Sequence, residues 1–159
     1  MNTKSCCFTG HRNIPDDHIS IVMRQTENTI RTLIAKGVSR YFVGGAIGYD
    51  IMAAQILFRL RDEFPQIKVV LAYPFDGFTS RWTEGQRAAF SRSIPMYDMC
   101  IRISSTASRG SYLARNRYMV DHSDVCISYC THQSGGTAYT VRYAQKKGIP
   151  VFDTAPRSL

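Results

Sequence analysis

Six short apolar runs alternate with five longer stretches of helical periodicity along this chain, and that repeated change of period most restricts the fold. The runs cover residues 6–9, 41–43, 67–73, 99–103, 125–129 and 150–152. Several are almost unbroken in Val, Ile, Phe and Cys, the pattern of strands buried on both faces. After the first run, Asp16 is the expected N-cap of a helix carrying Ile19, Val22, Met23, Thr26, Ile30, Leu33 and Ile34 on one face. Gly37 stops it, because glycine tolerates the left-handed backbone of a helix end. Further helical patterns follow at 50–63, 83–93, 112–121 and 137–147. Such alternation predicts an α/β fold: a doubly wound, mostly parallel sheet with helices on both faces. The chain fits one domain over residues 1–159, with no linker and no repeat, and an eight-unit barrel would need far more length.

Composition excludes several classes. No apolar run approaches the roughly 18 residues a membrane span needs. The opening residues Met1-Asn2-Thr3-Lys4 lack the features of a secretion signal, so the expected compartment is the cytoplasm. Five cysteines (Cys6, Cys7, Cys100, Cys126 and Cys130) form no CxxC pair, and no His or Cys stands at metal-ligand spacing. No metal is expected, and no motif requires a cofactor. The formal net charge of +8 favours anionic partners, phosphates or nucleic acid, and several arginines fall in or beside loops.

In a doubly wound sheet, ligands bind beyond the carboxyl ends of the strands, where the strand order reverses. The segments expected there are Thr9-Gly10-His11-Arg12, then Gly44-Gly45-Ala46-Ile47-Gly48-Tyr49-Asp50, then Tyr73-Pro74-Phe75-Asp76-Gly77, then His132-Gln133-Ser134-Gly135-Gly136-Thr137. Glycine lets backbone amides approach a phosphate, and a following helix N-terminus presents unpaired N–H groups. Ser134-Gly135-Gly136-Thr137 is the best cradle, with Thr137 able to cap the helix or donate to a phosphate oxygen. The glycine spacing is not GxGxxG, and no Gly-Lys-Ser/Thr occurs, which argues against nicotinamide dehydrogenases and P-loop NTPases.

Taken in order, Gly10-His11-Arg12, the segment 44–50, Ala114-Arg115-Asn116-Arg117, His122-Ser123-Asp124 and Ser134-Gly135-Gly136-Thr137 resemble the SLOG superfamily. That superfamily includes DNA-processing protein A (Smf) and the Lonely Guy nucleotide hydrolases, and the Gly-His-Arg opening looks most like its YpsA-type branch. The resemblance implies a Rossmann-like fold with a nucleotide-derived ligand in a glycine-lined cleft. It implies that Gly10 and Arg12 line the first loop, that Gly44, Gly45 and Asp50 form the second, and that Arg115 and Asn116 face the ligand. Gly135, Gly136 and Thr137 would hold a phosphate. Lonely Guy enzymes follow their glycine loop with a catalytic glutamate, whereas residues 138–143 here contain no carboxylate. An oxocarbenium-like transition state needs nearby negative charge.

The expected function is therefore binding or sensing of a nucleoside phosphate or ADP-ribose-like ligand without catalysis. Nucleotide N-glycoside hydrolysis is the enzymatic alternative, with Asp50 or Glu84 as the acid. Single-stranded nucleic-acid binding is the third reading, suggested by the charge and by Tyr73, Phe75, Phe78 and Trp82, which could stack on bases, pack as a lid or form a subunit interface. His11 and Ser134 complete the candidate ligand contacts. The sequence leaves a homo-oligomer open.

Overall fold

The computed structural model describes residues 2–157. Six strands, β1 (Lys4–Gly10), β2 (Val38–Val43), β3 (Lys68–Tyr73), β4 (Met99–Arg102), β5 (Val125–Tyr129) and β6 (Val151–Asp153), alternate with five helices. The helices are α1 (Asp16–Ala35), α2 (Tyr49–Glu63), α3 (Glu84–Ser93), α4 (Arg109–Asp121) and α5 (Gly136–Lys146). Every strand pair is parallel, in the order β4-β3-β2-β1-β5-β6. This is the doubly wound α/β arrangement that the pattern predicts. The chain works outward from β1 to β4, then α4 carries it back across the sheet so that β5 pairs with β1 on the other side. The order reverses between β1 and β5.

Alternation along the strands divides the core. Cys6 and Phe8, Tyr41 and Val43, Val69 and Leu71, and Val125, Ile127 and Tyr129 pack with the buried faces of α1, α2 and α3. Their neighbours Cys7, Phe42, Val70, Ala72 and Cys126 pack with Met119 and Val120 of α4 and Ala144 of α5. Parallel strands covered on both sides have no wet face, which is why the runs are apolar throughout. Buried tyrosines satisfy their hydroxyls: Tyr41 Oη donates to the Val38 carbonyl at 3.0 Å, and Tyr49 Oη lies 2.8 Å from Thr26 Oγ1. An unpaired hydroxyl at such depth would cost about 1–3 kcal/mol.

Local differences from the sequence pattern have physical causes. Pro15, not Asp16, is the N-cap of α1, and Asp16 and Asp17 instead place negative charge in its first turn. In α1, Met23 is exposed although its spacing matches the buried face. Helix α4 starts about a turn before residue 112, since the Ser111 hydroxyl donates to the Thr106 carbonyl at 2.8 Å and pins a polar segment that otherwise reads as loop. Cys100 is exposed rather than buried, because β4 is an edge strand. Thr83 and Gln86 form a reciprocal capping box at the start of α3.

Candidate functional site

The three glycine-bearing loops predicted from the sequence all leave the carboxyl ends of their strands, following β1, β2 and β5. They are tied to one another. The amide of Tyr49, the first residue of α2, donates to the His11 carbonyl at 3.2 Å, joining the second loop to the first. The amide of Thr131 donates to His11 Nε2 at 2.7 Å, joining the fifth-strand loop to the first across the point of strand reversal. From the opposite face of the sheet, the buried Arg115 of α4 donates through Nη1 to the Gly44 carbonyl and through Nε to Asn116 Oδ1, the latter at 2.7 Å.

The glycines divide into two kinds. A side chain at Gly10 would collide with the Tyr49 side chain, and one at Gly48 would overlap the Arg12 carbonyl and lie 2.7 Å from that of His11. A Cβ at Gly44 would lie 2.8 Å from both Arg115 Nη1 and Asp50 Oδ2, and one at Gly45 would lie 2.8 Å from Leu71 Cδ1. These four glycines let protein pack on protein. Gly135 and Gly136 meet nothing within 4 Å. Gly135, at φ 96°, is the N-cap of α5, which has no side-chain cap. The first intrahelical bond there runs from the Tyr139 amide to the Gly135 carbonyl at 3.0 Å, so the preceding amides lack helical acceptors. Ser134, Gly135 and Gly136 are exposed, and Thr137 is half-buried as the second residue of the helix.

Asp50 occupies the first turn of α2 and is almost fully buried, with Oδ2 accepting a long 3.4 Å bond from the Ala46 amide. Its Oδ1 is buried without a hydrogen-bond partner. Burial pushes its carboxyl up to about 6, and the Arg115 guanidinium beside it pulls the other way. Burial also lowers the Arg115 guanidinium from its ordinary value, opposed by Asp50. The two groups face the same space above Gly44, and Arg115 ties α4 to the loop after β2. Glu84 sits apart, exposed in the first turn of α3, where a carboxylate suits the helix dipole. Arg12 is exposed and Asn116 half-buried.

Sequence reasoning missed the aromatic and histidine cluster beneath the first and fifth loops. The His11 and His132 rings lie 4.4 Å apart, and His11 meets Tyr129 edge-on at 5.5 Å. His18 Nδ1 lies 3.0 Å from Tyr129 Oη. Burial, then the neighbouring His132, lowers the His11 imidazole from its ordinary value, while Asp153 acts in the other direction. Nothing in the local pattern links residues 11, 18, 129 and 132; strand pairing does. The aromatics after β3 pack mainly on each other and the core: Phe78 meets Trp82 and Phe90 edge-on, Tyr73 stacks on Phe78 at 5.9 Å, and Phe75 meets Tyr112. Among the described residues no group of three or more His, Cys, Asp or Glu could hold a metal ion. No described helix is long and apolar enough to cross a membrane.

Comparison with known proteins accords with this architecture. The family model described as the YspA SLOG family (YpsA) matches residues 6–149, most of the chain. The chain belongs to that family. A UPF0398 protein of Bacillus velezensis is 22% identical over 86% of this chain and 79% of its own length. A UPF0398 protein of Staphylococcus epidermidis is 28% identical over 62% of this chain and 53% of its own. Among solved structures, the fold is similar to DNA processing protein A from Helicobacter pylori, described with a single-stranded DNA binding mode, at TM-score 0.67 and 22% identity over 98% of this chain. DNA processing protein A from Streptococcus pneumoniae gives TM-score 0.71 at 15% identity over 99% of this chain. The chain spans 66% and 52% of those two chains, respectively.

Proposed function

We propose that this protein binds a phosphate-bearing, nucleotide-derived ligand, a nucleoside phosphate or an ADP-ribose-like molecule, in the crevice between the loops following β1 and β5. One observation carries the reading. Among the cleft glycines, those at the start of α5 face open space, while Gly10, Gly44, Gly45 and Gly48 are filled by neighbouring protein. Open glycine amides at an uncapped helix N-terminus suit an anion, since they donate hydrogen bonds while the helix dipole favours negative charge. The phosphate would sit on Gly135, Gly136 and Thr137, with Ser134 beside it and His11 and Arg12 on the facing loop. In this reading Gly10, Gly44, Gly45, Asp50, Arg115 and Asn116 shape the floor of the cleft rather than touch the phosphate.

Binding fits better than hydrolysis. The first turns of α5 bring no carboxylate near the phosphate, and Asp50, the acid of the second loop, is buried with its Oδ2 turned towards the Ala46 amide.

Titration calorimetry with AMP, ADP, ADP-ribose and the corresponding phosphate-free nucleoside tests the reading. Saturable binding of at least one phosphate-bearing compound, at least tenfold tighter than the nucleoside, is the expected result. No saturable binding by any of them, or equal binding of the nucleoside, would remove it.

A further inference from the structure

We infer that the outer face of α5 is a track for single-stranded nucleic acid, separate from the glycine cleft. A surface cavity of about 630 Å³ is lined by Tyr139, Arg142, Tyr143, Lys146 and Lys147. Their spacing of three and four residues puts all five on one side of the helix. From Tyr139 to Lys147 the stripe runs about 12 Å at the helical rise, the reach of a few nucleotides.

Charge is distributed to match. Helices α1, α2 and α3, over one face of the sheet, together carry a net −1, whereas α4 and α5, over the other, carry +4, and the C-capping Lys147 makes it +5. Asp121 at the edge of this groove accepts from Tyr143 Oη at 2.7 Å and lies 3.7 Å from Lys147 Nζ. Lys146 is exposed, and Arg142 Nη1 donates to the Gln133 carbonyl at 2.9 Å, linking the head of the stripe to the loop before α5.

The aromatic component selects the kind of polyanion. The Tyr139 and Tyr143 rings are nearly parallel, 16° apart with centroids at 6.3 Å. Their hydroxyls are held, Tyr139 Oη accepting from Arg117 Nη1 at 3.1 Å and Tyr143 Oη donating to Asp121, so the rings keep a fixed orientation. Cations beside oriented rings suit a flexible strand whose phosphates meet the lysines while its bases stack. An acidic peptide would engage the charges but leave the rings unused, and a duplex keeps its bases inside.

Fluorescence anisotropy of a labelled twelve-residue oligothymidylate with the full chain tests this. In Lys146→Glu/Lys147→Glu, both positions exposed, affinity falls at least tenfold, and the slope of log Kd against log salt drops by about 1.4, at about 0.7 per lost contact with a single strand. In Tyr143→Leu, affinity falls roughly five- to hundredfold with the slope unchanged, the signature of lost stacking. Melting temperatures close to wild type establish that both variants fold. Unchanged affinity in either variant overturns the inference, as does a twelve-base-pair duplex binding as tightly or polyglutamate displacing the strand as well as unlabelled oligonucleotide. The cleft reading stands or falls separately on the mononucleotide titrations.

Discussion

Substituting Gly136 with Asp separates the stability of α5 from its capacity to hold a phosphate. Gly136 is the first residue of the helix, has an ordinary negative φ and meets nothing within 4 Å, so a carboxylate there collides with nothing. Replacing a helical glycine recovers a few tenths of a kcal/mol of propensity, and a negative charge in the first turn adds about 0.3–1 kcal/mol. The unliganded variant should therefore be more stable by roughly 0.5–1 kcal/mol, a rise in Tm of about 1–4 °C for a chain of this length. Against a phosphate bound on the same amides, the carboxylate would sit roughly 4 Å from like charge. That repulsion is about 1 kcal/mol in bulk water and about 4 kcal/mol at a partly screened surface. Affinity for ADP should fall between five- and several-hundredfold. Scanning fluorimetry of the free protein and calorimetry with ADP measure both quantities. A lower Tm would refute the open environment of Gly136, and wild-type affinity for ADP would refute the phosphate site.

Two further results follow from the same geometry. Gly48→Ala and Gly148→Ala both put a side chain at positive φ, 96° and 80°, but only at 48 does the new atom strike another loop's backbone. Gly148→Ala should cost about 1 kcal/mol of backbone strain, whereas Gly48→Ala should cost roughly 3–5 kcal/mol once the overlap is added. Equal losses in denaturant titrations would contradict the packing of the first two loops. The Thr131 amide donates to His11 Nε2, which requires a neutral imidazole, and His11 is lowered below its ordinary 6.5. Because the folded value lies below the unfolded one, the tie is fully present above pH 6.5 and is lost as pH falls through the folded value. The Thr131 amide resonance should therefore shift with an inflection below pH 6.5, and an inflection at or above 6.5 would contradict the bond.

Periodicity and glycines are local properties, and they determined the α/β class, the alternation of elements and the three loops after β1, β2 and β5. Helix α1 was legible down to its buried Val22, Thr26, Ile30, Leu33 and Ile34, because one apolar face at a period near 3.6 has a single solution. The motif order also pointed to the family. What separates the glycines is not local. Gly10 and Gly135 look alike in sequence, yet Tyr49, 39 residues further on, fills the space above the first while the second faces solvent. The same holds for Arg115, which reads as a ligand contact but is buried and binds the carbonyl of Gly44, 71 residues away. It holds too for His11, brought to His132 and Thr131 only because β5 pairs with β1. Tertiary structure decided these surroundings because a side chain's partners depend on which strands become neighbours, and the crossover through α4 brings β5 beside β1.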